Sequence, residues 1–230
     1  MSIKLTGATS GSIELDVPDA VNGGDISLTL PNGVGTADQV LKNGSTPGTL
    51  EYGQPKAQPG QIIEQISSIC NGSSVTVGSG TYTMPNVTTN QDITYTSWVD
   101  VDGSSLAYTP PSDANTVIYE FITSAHYTSS GPIIGHFKFF LDSTEVTCKR
   151  TTYYTGFDDV IAIKIPLSVN NATEDIANGK VGSWTSNKTM KLQCRSYSSY
   201  YQLGLNRVYH WEGSGSYQLI KPTLEITSIA

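Results

Sequence analysis

Short runs in which apolar and polar residues alternate, each followed by Gly, Pro or Asn, recur along this 230-residue chain. A period of two is typical of a β-strand with one buried face, and Gly, Pro and Asn mark the turns between strands. Exposed helices favour Glu, Lys, Arg and Ala. This chain has only 14% charged residues but 27 Ser and 27 Thr. The sequence therefore predicts an all-β fold and argues against a helical bundle or a coiled coil.

Residues 62–230 contain enough strand candidates for two stacked sheets. The candidates are residues 62–69, which also fit a helix, 75–82, as a short hairpin around residues 78–80, and then 93–99, 104–109, 116–125, 134–141, 145–152, 160–169, 189–197, 203–211 and 217–229. About eight to ten strands in a segment of this length suit an antiparallel β-sandwich of jelly-roll type. An immunoglobulin-type sandwich is the alternative, but the Cys…Trp…Cys spacing of that fold is not evident.

Residues 1–53 show the same alternation but contain few apolar side chains, and about 50 residues are marginal for an independent core. The apolar positions are Ile3, Leu5, Ile13, Leu15, Val17, Ile26, Leu28 and Leu30. We therefore expect an extended N-terminal β arm that becomes ordered by packing these residues on sister subunits or on a larger assembly. The alternative is a floppy tail, which the regular alternation disfavours. Residues 54–61, with two prolines and a glycine, are predicted to be a linker to the sandwich of residues 62–230.

Charge and cysteine content exclude several classes of partner. The net charge is −7 and no basic run exceeds Lys149-Arg150, so we expect no nucleic-acid binding. No stretch approaches the roughly 18 apolar residues of a membrane span, and the N-terminus lacks the pattern of a secretory signal. The three cysteines are odd in number and far apart. They are predicted to be thiols in or near a core, in a protein made in a reducing cytosol.

The residues that usually perform catalysis or bind metals form no recognisable motif. His126, His136 and His210 lack paired spacing, and the segment from Asp100 to Gly103 lacks most ligands of a calcium loop. We expect no catalytic residues, no cofactor and no metal site.

Three segments rich in Tyr, Ser, Thr and Gly have the composition of recognition loops, because Tyr offers a rigid contact area and Ser adaptable hydrogen bonds. Their tyrosines are Tyr127, Tyr153, Tyr154, Tyr197, Tyr200 and Tyr201. The alternative, which we favour, is that these tyrosines are half-buried strand residues that cover the sandwich or a subunit interface.

Several segments resemble virion structural proteins of tailed bacteriophages, above all those that infect cyanobacteria and other aquatic bacteria. In the arm, the similar segment runs from Ser10 to Gly53 and begins SGSIELDVPDAVNGGDISLTLPNG. In the sandwich, the similar segments are SLAYTPP (105–111), VIYEF (117–121), HFKFFLDSTEV (136–146) and NGKVGSWTSNKTMKLQCRSY (178–197). Together they cover about a third to a half of the chain.

This resemblance implies a homotrimer on the outside of a phage particle, synthesised in the host cytoplasm. The chain lacks the repeats of a long fibre shaft, which favours a capsid decoration (cement) protein that binds the major capsid protein. The alternative is a short tail fibre or receptor-binding tip, attached to a tail component, that recognises glycans on the host surface.

Overall fold

The computed structural model describes residues 3–6, 12–15, 29–46, 48–94, 96–128, 132–156, 158–209 and 215–230. The chain divides into two compact units, Met1–Lys56 and Ala57–Ala230. Within the described residues, the regular structure is β-strand apart from two single-turn 3₁₀ helices. The prediction of an all-β fold is confirmed.

The N-terminal unit contains two antiparallel hairpins in its described part. Their strands are β1 (Ile3–Thr6), β2 (Ser12–Leu15), β3 (Val40–Asn43) and β4 (Leu50–Gly53). The backbone of Ile3 lies opposite Leu15 in the first hairpin, and that of Val40 opposite Gly53 in the second. None of the side chains described between residues 29 and 56 is buried. These side chains therefore form no core within the unit.

The first sheet of the larger unit is organised around one long strand. Its strands are β5 (Ile62–Ile69), β8 (Gln91–Ile93), β11 (Thr116–Tyr127), β15 (Asp159–Ser168), β17 (Leu203–Leu205) and β20 (Thr223–Ile229). β11 pairs with β15 on one side, and with β20 and then β17 on the other. Val117, Tyr119 and Phe121 are buried, because alternate residues of a strand point to the same face.

The second sheet is centred on β12. Its strands are β9 (Val99–Asp100), β10 (Leu106–Tyr108), β12 (Ile133–Leu141), β13 (Thr144–Glu145), β14 (Thr151–Thr155) and β16 (Lys188–Ser196). Phe137, Phe139 and Leu141 are buried on β12, whereas His136 and Lys138 between them are only partly buried. The alternation thus places the polar residues of β12 on the outer face of the sheet.

The remaining elements lie outside these two sheets. They are the hairpin of β6 (Ser74–Val77) and β7 (Gly80–Thr83), the ribbon of β18 (Arg207–Val208) and β19 (Gln218–Leu219), and the 3₁₀ helices Thr147–Lys149 and Ile176–Asn178.

The strand order identifies the fold. Eight principal strands follow each other along the chain as β5, β10, β11, β12, β14, β15, β16 and β20. The first sheet has the order β5-β20-β11-β15, and the second has the order β10-β16-β12-β14. Counted one to eight, these orders are 1-8-3-6 and 2-7-4-5, the connectivity of a jelly roll. The jelly-roll prediction is confirmed.

A continuous apolar core lies between the two sheets. Tyr119 of the first sheet and Phe139 of the second meet with ring centroids 4.9 Å apart. Cys70 and Cys194 are buried free thiols, whereas Cys148 is a free thiol that is exposed. The expectation that all three thiols lie in or near the core is therefore wrong for Cys148, which belongs to a 3₁₀ helix with no buried residues.

Four segments predicted as single strands are each divided in two. Residues 145–152 contain the end of β13 and the start of β14, with the 3₁₀ helix Thr147–Lys149 between them. Residues 93–99 contain the end of β8 and the start of β9, which belong to different sheets. In residues 203–211, β17 and β18 are separated at Asn206, whose φ is 60°. In residues 217–229, β19 and β20 are separated by a segment that contains Pro222, which cannot donate a hydrogen bond to a neighbouring strand.

Candidate functional site

The predicted anchoring residues lie on the arm at positions that the structure describes only in part. Ile3 and Leu5 lie on β1, and Ile13 and Leu15 lie on β2, where the backbone of Leu5 is opposite Ile13. Leu30 is 64% exposed. The other three predicted positions, Val17, Ile26 and Leu28, lie outside the described residues.

The arm exposes further apolar side chains that sequence reasoning did not select. Val34, Val40, Leu41 and Tyr52 are all exposed. Val40 and Leu41 are adjacent on β3 and therefore point to opposite faces of the hairpin. Both faces of the β3–β4 hairpin thus carry an exposed apolar side chain.

Tyr127 is part of a packed cluster at one end of β11. It stacks on His126 with ring centroids 4.3 Å apart, and the rings of Tyr209 and Tyr217 lie 5.2 and 5.3 Å from His126. The guanidinium of Arg207 lies 4.0 Å from the centroid of Tyr217. Tyr127 is half-buried, with its ring packed on His126.

The other five tyrosines fall into two groups. Tyr197, Tyr200 and Tyr201 lie together, with ring centroids 5.8 Å apart for Tyr197–Tyr201 and 5.0 Å for Tyr200–Tyr201. Tyr197 and Tyr200 are exposed. Tyr153 packs against the core, whereas its neighbour Tyr154 on β14 is 67% exposed. The structure therefore brings together three of the six predicted tyrosines.

A pocket of about 400 Å³ lies on the outer face of the second sheet, next to Tyr197, whose ring centroid is 6.0 Å from that of His136. The residues that matter for its chemistry are Trp98, His136, Lys138, Arg150, Thr152 and Arg195. Strand pairing forms this set, because His136 of β12 lies opposite Thr152 of β14 on one side and Arg195 of β16 on the other. We call it the Trp98 pocket.

Trp98 is in contact with two of the cations of this pocket. The Lys138 ammonium lies 4.3 Å from the centroid of the Trp98 ring, and the Arg195 guanidinium lies 5.2 Å from it. Both distances are within the range of cation–π attraction. The indole therefore holds two positive groups close to each other.

One carboxylate offsets part of this charge. Glu145 accepts a hydrogen bond from Arg150 Nε at 2.6 Å and lies 3.3 Å from Lys138 Nζ. These two groups, Arg150 first, hold the pKa of Glu145 below its usual value. Three cations and one carboxylate leave an excess of two positive charges in a chain whose net charge is −7.

Two polar residues of the pocket have unusual surroundings: Arg195 lacks a carboxylate partner within the described part of the chain, and His136 has a lowered pKa. Among the described residues, Arg195 forms no ion pair: its Nη1 donates to the Thr96 carbonyl at 3.5 Å, and its buried Nε has no acceptor. Burial, and then the charge of Arg195, lower the pKa of His136. His136 is therefore neutral at pH 7, and its Nδ1 lies 3.0 Å from Thr152 Oγ1.

Sequence reasoning missed this pocket. The alternation of HFKFF in residues 136–140 does place His136 and Lys138 on the same outer face. Trp98 comes from a loop, and Arg195 and Arg150 are distant along the chain, so only strand pairing reveals that they meet.

Other arrangements of reactive side chains offer little for chemistry. No group of three or more His, Cys, Asp or Glu that could hold a metal ion occurs in the described part of the chain. His126 Nδ1 contacts the Asp158 carboxylate, but His126 is 3% exposed beneath the aromatic cluster. In the same described part, no helix is long and apolar enough to cross a membrane.

No protein-family model matches this sequence, and no curated protein matches it. Solved structures with a distant similarity in fold include two of viral particles. One chain of the infectious bursal disease virus Gx strain is 10% identical with a TM-score of 0.34, and one chain of T=1 particles derived from infectious bursal virus is 9% identical with a TM-score of 0.34. Both comparisons cover 84% of this chain, which spans about two fifths of their length (42% and 41%).

A chain of the Nora virus structure is 12% identical with a TM-score of 0.21, and the match covers 94% of this chain and 91% of that one. Likenesses with TM-scores this low are too distant to carry an argument about function. The jelly-roll assignment rests on the strand order of the chain itself.

Proposed function

We propose that this protein is a non-enzymatic virion structural protein: a homotrimeric decoration protein on the outside of a capsid, synthesised in the cytoplasm of the host cell. In this proposal, the arm binds the major capsid protein and the jelly roll covers the joints between capsid subunits. The resemblance of the arm and sandwich segments to phage virion proteins supports this setting.

The observation that carries the proposal is the contrast between the two units. The jelly roll buries a complete core, whereas no side chain described in residues 29–56 is buried. Leu30, Val40 and Leu41 remain exposed there, and such apolar surface is stabilised by contact with another protein. Three linked copies on a symmetric shell would add their contacts through avidity.

A second candidate function is supported by a different surface. Tyr154, Tyr197 and Tyr200 are exposed, and Tyr197 lies 6.0 Å from His136, which lines the Trp98 pocket. Exposed tyrosines beside a pocket are typical of recognition surfaces. This surface suits a short tail fibre or receptor-binding tip that contacts host glycans.

The two locations differ in copy number, which quantitative mass spectrometry of purified particles measures. A decoration protein repeats over a symmetric shell and is present in on the order of hundreds of copies, whereas a tail component is present in tens or fewer. A low copy number would contradict the decoration proposal.

The anchoring role of the arm is tested by substituting Val40 and Leu41 together by Ser in the full-length protein. Loss of two apolar side chains that the proposed contact would bury should lower the amount bound to particles by more than about tenfold. The matched control substitutes Ile69 and Val160 by Ser, because both are exposed apolar residues of the jelly roll. Unchanged binding of the arm variant, or equal losses in both variants, would show that the arm is not the anchor.

A further inference from the structure

We infer that the Trp98 pocket is a binding site for one anionic sugar residue, carrying either a carboxylate or a phosphate group. The pocket belongs to the jelly roll, so this inference depends neither on the arm nor on the copy number of the protein. Its volume of about 400 Å³ lies in the lower part of the range of small-molecule sites.

The charge of the pocket selects an anion. Arg150 and Lys138 share the carboxylate of Glu145, whereas Arg195 has no acidic partner among the described residues and keeps its buried Nε–H without an acceptor. A guanidinium in this state gains hydrogen bonds when a carboxylate or phosphate comes within reach, because both anions match its planar donors. Arg195 is therefore the residue that we expect to bind the acidic group.

The neutral groups of the pocket select a sugar over a simple inorganic anion. His136 is uncharged at neutral pH and lies beside the Thr152 hydroxyl at 3.0 Å, so the pair can donate and accept hydrogen bonds with hydroxyl groups. Trp98 also lines the pocket, and aromatic rings pack well against apolar C–H surface. A sugar ring presents hydroxyls and C–H groups together, and an acidic substituent on it would bind Arg195.

The size and charge of the pocket disfavour a nucleic acid. Single-stranded nucleic acids bind along extended positive grooves that neutralise many phosphates. The Trp98 pocket has an excess of only two positive charges, and the chain carries a net charge of −7. Oligothymidylate is nevertheless included in the test as a competitor.

The test measures binding of D-glucuronate, D-glucose 6-phosphate and D-glucose to the full-length protein by saturation-transfer NMR. At least one anionic sugar should bind with a dissociation constant of about 1 mM or below, and D-glucose at least about tenfold more weakly. Tighter binding of glucuronate would assign carboxylated sugars, and tighter binding of glucose 6-phosphate would assign phosphorylated ones. Failure of both anionic sugars to bind would overturn the inference.

Two matched variants locate the site. Arg195→Gln should weaken binding of the anionic sugar at least about tenfold, because it removes charged hydrogen bonds. Lys191→Gln also removes one positive charge from the outer face of β16, but Lys191 binds Asp100 at 3.0 Å and does not line the pocket. Binding by this variant should stay within about twofold of the parent. Equal losses of sugar binding in the two variants would show that the anion is attracted only by the general positive charge of this face. That result would contradict the proposed site.

Three further measurements complete the test. If Arg195→Gln does not fold, as judged by its thermal unfolding, Arg195→Lys replaces it and should also weaken binding, because an ammonium lacks the planar donors of the guanidinium. Acetate that competes as strongly as glucuronate would show a site for any small anion and overturn the sugar assignment. Tighter binding of oligothymidylate than of either sugar would also overturn the sugar assignment and would indicate a nucleic-acid site.

Discussion

The surroundings of a residue decide its chemistry more than its type does, as the three cysteines show. Burial raises the pKa of Cys70 to about 11 and that of Cys194 to about 12, so both are neutral thiols at pH 7. Cys148 is exposed to solvent. The thiolate is the reactive form of cysteine. Cys70 and Cys194 are therefore protected from reagents in two ways: the core encloses them, and their thiols stay protonated.

We therefore predict that one thiol per chain reacts rapidly with Ellman's reagent at pH 8 in the native protein, and that all three react in denaturant. The variant Cys148→Ser should remove the rapid phase completely. Rapid reaction of two or more thiols in the folded protein would show that Cys70 or Cys194 is not enclosed by the core as described.

At the level of elements, a buried polar network joins the β6–β7 hairpin to the jelly roll. Glu64 of β5 accepts hydrogen bonds from the Tyr108 hydroxyl at 2.6 Å, from Ser79 Oγ at 2.6 Å and from the Ser79 amide at 3.0 Å. The Tyr108 oxygen also lies 2.6 Å from Ser228 Oγ of β20. Burial, and then the Glu64 carboxylate, raise the pKa of Tyr108 well above its usual value, which keeps the hydroxyl protonated as a donor.

The variant Tyr108→Phe should lower the free energy of unfolding by about 1–3 kcal/mol, because it leaves buried oxygens of Glu64 and Ser228 with fewer partners. The control Tyr197→Phe removes the same hydroxyl from an exposed side chain and should change the free energy by less than about 0.5 kcal/mol. Urea unfolding followed by fluorescence measures both. Equal effects would mean that the network adds nothing to stability.

The strands illustrate what can be predicted from sequence and what cannot. Residues 116–125 alternate so regularly that their strand and its buried face follow from the period of two, and the number of such runs predicts the two sheets. The division of residues 93–99 between both sheets does not follow, because it depends on which distant strands lie beside β8 and β9. The Trp98 pocket does not follow from the sequence either, since Arg150, Arg195 and Trp98 meet only through pairing across the second sheet.

At the scale of the whole molecule, the chain combines a unit that is stable through its own core with one that lacks such a core in its described part. The jelly roll encloses aromatic pairs such as Tyr119 and Phe139. The β3–β4 hairpin consists of two four-residue strands with no buried side chain, and an isolated hairpin of this kind is marginal in water. In our proposal, the arm gains its order from contact with neighbouring protein.

Hydrogen–deuterium exchange on the full-length protein tests this dependence most directly, first as a dilute monomer and then bound in its assembly. The amides of β3 and β4 should exchange at least about a hundredfold more slowly in the assembly than in the monomer, whereas those of β11 should be protected in both states. Equal and strong protection of β3 and β4 in the monomer would contradict the account, because the arm would then be stable without a partner.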